Sequence, residues 1–114
     1  MENVAAMLRL RIYVNEDDHV HGAPVYQMIV EYLHGHESAG ATVFRSVEGY
    51  GRSKILHSER AIDTRQTFAM VIEIIETEQR MHEFIPAIRA MLKTGLLTLE
   101  PIDVIANGIE TYVQ

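Results

Sequence analysis

The chain has 114 residues, a formal net charge of −6 with its histidines neutral, and no cysteine. This length predicts one domain, residues 1–114, and excludes a second catalytic domain. Without cysteine the chain can form no disulfide, thiolate metal site or thiol nucleophile, and its negative charge argues against a nucleic-acid partner. Because the sequence shows neither a signal peptide nor an apolar run long enough to cross a bilayer, we expect a cytoplasmic protein.

The first half of the chain predicts a strand, a helix and a second strand. Apolar and polar residues alternate along Met7–Val14, as in a half-buried strand. A polar turn then leads to Pro24, which is acceptable in the first turn of a helix, and apolar residues follow at the spacing of one helical face. Gly35 suits the C-terminal cap of this helix. The second strand is predicted at about Ala41–Glu48.

The second half predicts a strand, a helix and a last strand. The run Phe68–Ile75 is almost continuously apolar and rich in β-branched residues, which is typical of a central strand buried on both faces. Thr77 suits the N-cap of the second helix, in which Pro86 predicts a kink or a late start. The fourth strand, Leu96–Ala106, contains Pro101, which should be confined to a sheet edge or a bend.

The order of these elements predicts an α+β, ferredoxin-like βαββαβ fold. Its four-stranded antiparallel sheet would have both helices on one face. Apolar residues of the third strand, Ala69, Val71 and Ile75, should point to the open face near Tyr13 of the first strand. Since a solvated face is normally polar, we predict that other copies of the chain cover it, with a homotrimer as a natural arrangement.

A glycine-containing segment after the second strand is the predicted ligand site. Gly49 and Gly51 let the backbone turn sharply and approach a ligand without obstruction by side chains. Arg52 and Lys54, next to these glycines, can form charge-assisted hydrogen bonds to a small anion.

The following segment, Ser53–Gln66, is polar and has no clear helical or strand period. A loop of this length in so small a domain is uncommon unless it is functional or disordered. We therefore expect the segment to contact a partner. The candidate contact residues are His57, Arg60 and Arg65.

The histidines allow two hypotheses. His21 precedes the first helix, where backbone donors can face an anion, and is therefore a candidate ligand-binding residue. His19 with His21, and His34 with His36, form His-x-His pairs that can present two imidazoles to one metal ion. Neither pair has an obvious third ligand, so we predict exposed or capping histidines and no metal site.

Four short motifs resemble a known group of proteins. Gly49–Lys54 is similar to the Gly-aromatic-Gly-Arg-x-Lys entry to the T-loop of PII signalling proteins. The segments His21–Tyr26, Gly40–Arg45 and Val71–Glu76 resemble the PII-like group known as domain-of-unknown-function family 190. The order and spacing of these motifs extend the resemblance over nearly the whole chain.

The resemblance implies a trimer that binds adenine nucleotides in three clefts between neighbouring subunits. It also implies that T-loops change shape on binding and dock on a target, which would be a membrane protein or an enzyme. Tyr50 is then a further ligand-binding residue, and Thr94 and Gly95 resemble the start of the PII B-loop. Because Ser53 stands where PII proteins have a glutamine that helps to hold a metal and a 2-oxoacid, 2-oxoglutarate is not the expected effector.

Three functions remain open at this point. The leading one is a PII-like trimeric regulator that binds a small anionic effector, an adenine nucleotide, and signals through the loop at about 50–66. The second is a divalent-metal-binding trimer like the CutA-type proteins, which share this architecture. The third is a small enzyme such as an acylphosphatase, but the arginine-bearing phosphate loop is absent because Asn15–Asp18 is acidic. No group of residues sets out acid–base or nucleophilic chemistry, so we expect neither catalytic residues nor an enzyme.

Overall fold

The computed structural model of the protein describes residues 4–46, 48–49, 57–58 and 69–105. For residues 48–49 and 57–58 only the main chain is described. The elements, in chain order, are β1 (Val4–Asn15), β2 (His19–Val20), β3 (Ala23–Pro24), α1 (Val25–Gly35), β4 (Ala41–Arg45), β5 (Glu48–Gly49), β6 (His57–Ser58), β7 (Ala69–Glu76), α2 (Glu78–Met91) and β8 (Leu96–Ile105).

Four of the strands form one antiparallel sheet in the order β4-β7-β1-β8. This is the strand order of a ferredoxin-like fold, so the predicted fold class is confirmed. β7, the most apolar strand, lies between β4 and β1, as its sequence predicted. Pro101 lies on β8, which is an edge strand, as predicted. One side of an edge strand has no neighbouring strand, so a residue without an N–H can be accommodated there.

The hydrophobic core lies between one face of the sheet and the two helices. Alternate residues of β1 and β7 point to the helices, and each helix contributes one apolar stripe. The buried core residues are Leu10, Ile12, Val14, Met70, Ile72 and Ile74 from the strands, Val25, Ile29 and Leu33 from α1, and Met81, Phe84 and Ile88 from α2. Both helices therefore cover the same face, as predicted.

The second helix begins at its predicted cap and continues past its proline. Thr77 Oγ1 accepts a hydrogen bond from the Arg80 N–H at 3.3 Å, which confirms Thr77 as the N-cap. Helix α2 then runs from Glu78 to Met91, so the late start considered for Pro86 is wrong. Pro86 lies on the exposed side, where water can bond the carbonyl oxygen that loses its helical partner.

The first helix ends where it was predicted to end, but its cap differs from the prediction. Gly35 is its last residue, and the left-handed residue is Glu37, with φ of 58°. The Glu37 N–H donates to the His34 carbonyl at 3.2 Å, and the Ser38 N–H donates to the Leu33 carbonyl at 3.0 Å. These are the two bonds of a Schellman motif with glutamate in the position that usually holds glycine. The predicted helix end near Gly35 is therefore confirmed, but the prediction of Gly35 as the cap is wrong, because His36 is the C-cap and Glu37 the left-handed residue.

A buried carboxylate fastens the turn between α1 and β4. Glu76, at the end of β7, has 3% of its surface exposed and accepts the Ala39 N–H at 2.6 Å. Arg80 lies 4.0 Å from the second carboxylate oxygen and donates to the carbonyl of Glu37 at 3.2 Å. These contacts hold the turn against the start of α2. Of the helices described, none is long and apolar enough to span a membrane.

Candidate functional site

The sheet register brings several chain junctions to one end of the sheet. Because β1 and β4 both run antiparallel to β7, they end where β7 and β8 begin. Asn15 is paired with Ala69, Arg45 with Met70, and Leu96 with Tyr13. The segments 16–22, 46–68 and 92–95 all leave the sheet at this end, which we call the loop end.

The segments predicted to bind a ligand connect to the sheet at the loop end, but they do so at different strands. β4, which leads to the predicted ligand segment, and β8, which follows Thr94 and Gly95, are opposite edges of the sheet. Three interstrand steps of about 4.8 Å separate them by about 14 Å. A ligand that touches both sides within one subunit must therefore be extended.

The root of the 47–68 segment is closed by two hydrogen bonds. The Ser46 N–H donates to the Ala69 carbonyl at 2.9 Å, and the Ala69 N–H donates to Ser46 Oγ at 3.0 Å. Since a side-chain oxygen accepts the second bond, the regular ladder stops and β4 ends at Arg45. The predicted continuous strand to Glu48 is therefore wrong, because residues 48–49 form the separate strand β5.

Two of the predicted loop residues lie in a short ribbon beyond this root. β5 and β6 pair antiparallel, with Gly49 opposite His57 in the register. The pairing shows that the chain continues as a two-stranded ribbon where the close-approach glycine was predicted. The other candidate residues of this segment lie outside the described residues and stay predictions: Tyr50, Gly51, Arg52, Lys54, Arg60 and Arg65.

His21 lies at the tip of a hairpin and not at the start of a helix. β2 and β3 are joined by His21 and Gly22, whose φ angles of 51° and 81° are both positive, as in a type I′ turn. The first helical residue is Val25, and its N–H already donates to the Asp18 carbonyl at 2.8 Å. The reason given for His21 is therefore wrong, although its role in ligand binding stays a prediction.

A small open pocket of about 50 Å³ lies at the loop end beside β8. Asp18, His19, Val20 and Val25 line it together with Lys93 and Thr94. The pocket therefore combines a carboxylate and an ammonium group with a hydroxyl. Sequence reasoning named Thr94 but missed its neighbours, because residues 75 positions apart that line one pocket leave no local pattern.

Gly95 places the Lys93–Thr94 wall close to β1. Its φ is +149°, and a Cβ at this position would lie 3.0 Å from the Tyr13 carbonyl oxygen. A side chain would therefore meet both an unfavourable backbone conformation and a main-chain atom. The close approach to β1 is what requires glycine at this predicted site residue.

The face of the sheet that the helices leave uncovered has an apolar row near the loop end. Phe44, Val71, Tyr13 and Leu96 are successive partners across all four strands. Phe44 and Leu96 are 50% and 58% exposed. This row agrees with the apolar open face predicted from β1 and β7.

An ion-pair network lies beside this row on the same face. Arg9 Nε is 2.8 Å from a carboxylate oxygen of Glu100 and 3.5 Å from one of Glu73, and Arg11 Nη2 is 3.6 Å from the same Glu73 oxygen. The network contains two arginines and two glutamates, so its formal charges cancel. Covering it would not bury an unpaired charge.

Metal ligands do not cluster in the part of the chain that the structure describes. Among residues 4–46, 48–49, 57–58 and 69–105, no three His, Cys, Asp or Glu side chains are placed to hold a metal ion. His19 instead donates through Nδ1 to the Asp17 carbonyl at 2.5 Å. His36 donates through Nδ1 to the Tyr32 carbonyl at 2.8 Å.

Solved structures of PII-like proteins share this fold. CPII, a nitrogen regulatory PII-like protein from Thiomonas intermedia K12 solved with ADP, AMP and bicarbonate, superposes with a TM-score of 0.66. The match covers 91% of this chain and 92% of that one, at 12% identity. A putative PII-like signalling protein from Thermus thermophilus gives a TM-score of 0.66 at 13% identity, over 90% and 93% of the two chains.

Sequence comparison identifies the family. The family model DUF190, described as Uncharacterized ACR, matches residues 7–104. A UPF0166 protein from Aquifex aeolicus is 35% identical over 96 residues, which are 84% of this chain and 90% of the relative. The protein therefore belongs to the DUF190 family, and its fold is that of the PII-like proteins.

Proposed function

We propose that the protein is a PII-like regulator that binds an adenine nucleotide at the loop end of the sheet. The observation that supports this proposal is that the predicted ligand segments join the sheet at one end, at strands whose outer edges are about 14 Å apart. An ion of a few atoms cannot bridge that width. A nucleotide has the length, and the PII-like protein CPII was solved with ADP, AMP and bicarbonate.

The residue types suit the parts of a nucleotide. Arg52 and Lys54 supply the positive charge that phosphate oxygens require, and the adjacent glycines let the main chain come near. Across the sheet, the Thr94 hydroxyl and the Lys93 ammonium line a pocket with apolar carbon from Val20 and Val25. Such a site binds and orients a ligand, and the proposed role is regulatory, with no catalytic step.

The proposed assembly is a homotrimer in which copies of the chain cover the open sheet face. The apolar row around Val71 provides area that water hydrates poorly. In the neighbouring network each charged side chain already has a partner of opposite charge, which lowers the free-energy cost of burying it. Assembly would also bring the loop end of one subunit near a neighbour, so that the clefts between subunits complete the nucleotide site.

In this proposal the 47–68 segment transmits the signal. Its residues His57, Arg60 and Arg65 contact a target, which is a membrane protein or an enzyme. A ligand changes this output only if it binds one state of the segment better than another. The root at Ser46 and Ala69 is where such a difference would enter the described sheet.

Calorimetric titration of the full chain with ADP, AMP and ATP, with and without bicarbonate, tests the proposal. We expect saturable binding of at least one nucleotide, and a loss of about tenfold or more in affinity for Arg52→Ala, since a charge-assisted bond to phosphate contributes about 1.5–3 kcal/mol. Arg89→Ala is the matched control, because Arg89 is an exposed arginine on α2. No binding of any nucleotide, or equal losses in both variants, would contradict the proposal.

A further inference from the structure

A two-point ion pair between Glu16 and Arg45 joins two segments of the loop end. Arg45 Nε donates to Glu16 Oε2 at 2.9 Å, and Arg45 Nη2 lies 3.5 Å from Oε1. Contacts through two of the three guanidinium nitrogens fix the orientation of the carboxylate more tightly than one contact does. Glu16 follows the end of β1 directly, and Arg45 is the last residue of β4.

Arg45 is next to the root of the 47–68 segment. Ser46, the following residue, exchanges both root hydrogen bonds with Ala69. Arg45 is therefore joined by one peptide bond to Ser46, whose two hydrogen bonds with Ala69 close the root. Within the described residues, these two hydrogen bonds are where the segment joins the sheet.

The turn that carries Glu16 is held as one body by its own hydrogen bonds. The Asp17 N–H donates to Asn15 Oδ1 at 2.9 Å, and the Asp18 N–H donates to the Asn15 carbonyl at 3.0 Å. In return, the Asn15 N–H donates to Asp18 Oδ2 at 3.2 Å. Because these bonds cross the turn in both directions, they restrain the main chain at Glu16 between Asn15 and Asp18.

The same turn forms a wall of the pocket. Asp18 and His19 line it together with Lys93 and Thr94. We propose that Glu16 is a positioning residue that couples this pocket to the root of the 47–68 segment through Arg45. The use of this coupling in signalling rests on the proposed function, but the coupling itself is a property of the chain without ligand.

Amide hydrogen exchange of Ser46 and Ala69, measured by NMR on the full chain, reports opening of the root. In Glu16→Gln we expect exchange about two to five times faster than in wild type, the range for a solvent-accessible ion pair. Glu83→Gln is the matched control, since Glu83 is an exposed glutamate on α2. Unchanged exchange in Glu16→Gln, or equal acceleration in the control, would overturn the proposal.

A pocket-filling variant separates coupling from local support. Thr94→Trp places a ring in a pocket of about 50 Å³ and should push the Asp18 wall outward. We expect it to speed exchange at Ala69 at least twofold when Glu16 is present, and to have no further effect in the Glu16→Gln background. Lys93→Trp, on the same wall, replaces it should Thr94→Trp not fold.

The same acceleration in both backgrounds, or in neither, would refute the coupling. These exchange measurements need no nucleotide, so their result stands whether or not the proposed effector binds. Failure of every nucleotide to bind would contradict the proposed function and leave the exchange result intact.

Discussion

Replacing Gly95 by alanine tests whether the close approach to β1 requires glycine. At φ of +149° an alanine is in a region that only glycine visits readily, and its Cβ would lie 3.0 Å from the Tyr13 carbonyl oxygen. Backbone strain of this kind costs about 1–3 kcal/mol. Since the obstructing atom is main chain and paired within the sheet, it cannot rotate away. We therefore expect a destabilisation of about 2 kcal/mol, near the middle of that range.

Thermal and urea unfolding at one fixed protein concentration measure the effect. About 2 kcal/mol corresponds to a fall in Tm of roughly 10 °C for a chain of this size. Gly35→Ala is the matched control, because Gly35 has open space around it and ends α1 without a positive φ. That variant should be unchanged or up to about 1 kcal/mol more stable. Equal stability of Gly95→Ala and wild type would refute the strain at this turn.

Three further variants test the turn, the buried carboxylate and the open face. Glu37→Gly should raise the free energy of unfolding by up to about 1 kcal/mol, because glycine removes the left-handed penalty; a lower Tm would contradict the Schellman assignment. Glu76→Ala should cost about 2–3 kcal/mol in urea unfolding, since the Ala39 N–H loses a charged acceptor; a loss below about 0.5 kcal/mol would show that water replaces it. Val71→Glu should dissociate the proposed trimer, as measured by light scattering. Val43→Glu should not, because Val43 lies on the other face of the sheet. A trimeric Val71→Glu protein would refute packing through the open face.

The fold was predictable because its signals are local. Alternation along β1, the apolar run of β7 and the Thr77 cap each depend on residues only a few positions apart. The handedness and adjacency of connections then leave few ways to combine four strands and two helices. Sequence reasoning therefore reached the fold class, a four-stranded antiparallel sheet with both helices on one face.

The errors arise where side chains replace main-chain partners. β4 ends early because Ser46 Oγ accepts a bond that a continued ladder would give to the main chain. The cap of α1 was misplaced because Glu37, and not a glycine, adopts the left-handed conformation. His21 was assigned to a helix start because a His-Gly hairpin turn was not recognised.

The candidate site was only partly predictable. Its position at one end of the sheet follows from the strand order, which the sequence indicates. The presence of Asp18 and Lys93 at one pocket depends on the register between β1 and β8, and alternation alone permits shifts by two residues. The predicted phosphate contacts of Arg52 and Lys54 lie outside the described residues and stay predictions.

Thermal unfolding with nucleotides, with the mass measured by light scattering in the same buffers, tests the central claim most directly. The panel is AMP, ADP, ATP, cyclic mono- and dinucleotides, bicarbonate and divalent ions. An effector at a hundred times its Kd should stabilise the protein by roughly 2.7 kcal/mol per site. We predict that an adenine nucleotide gives this shift on a trimer of about three times 13.0 kDa. A trimer that no nucleotide stabilises, or one that only divalent ions stabilise, would contradict a nucleotide-binding regulator.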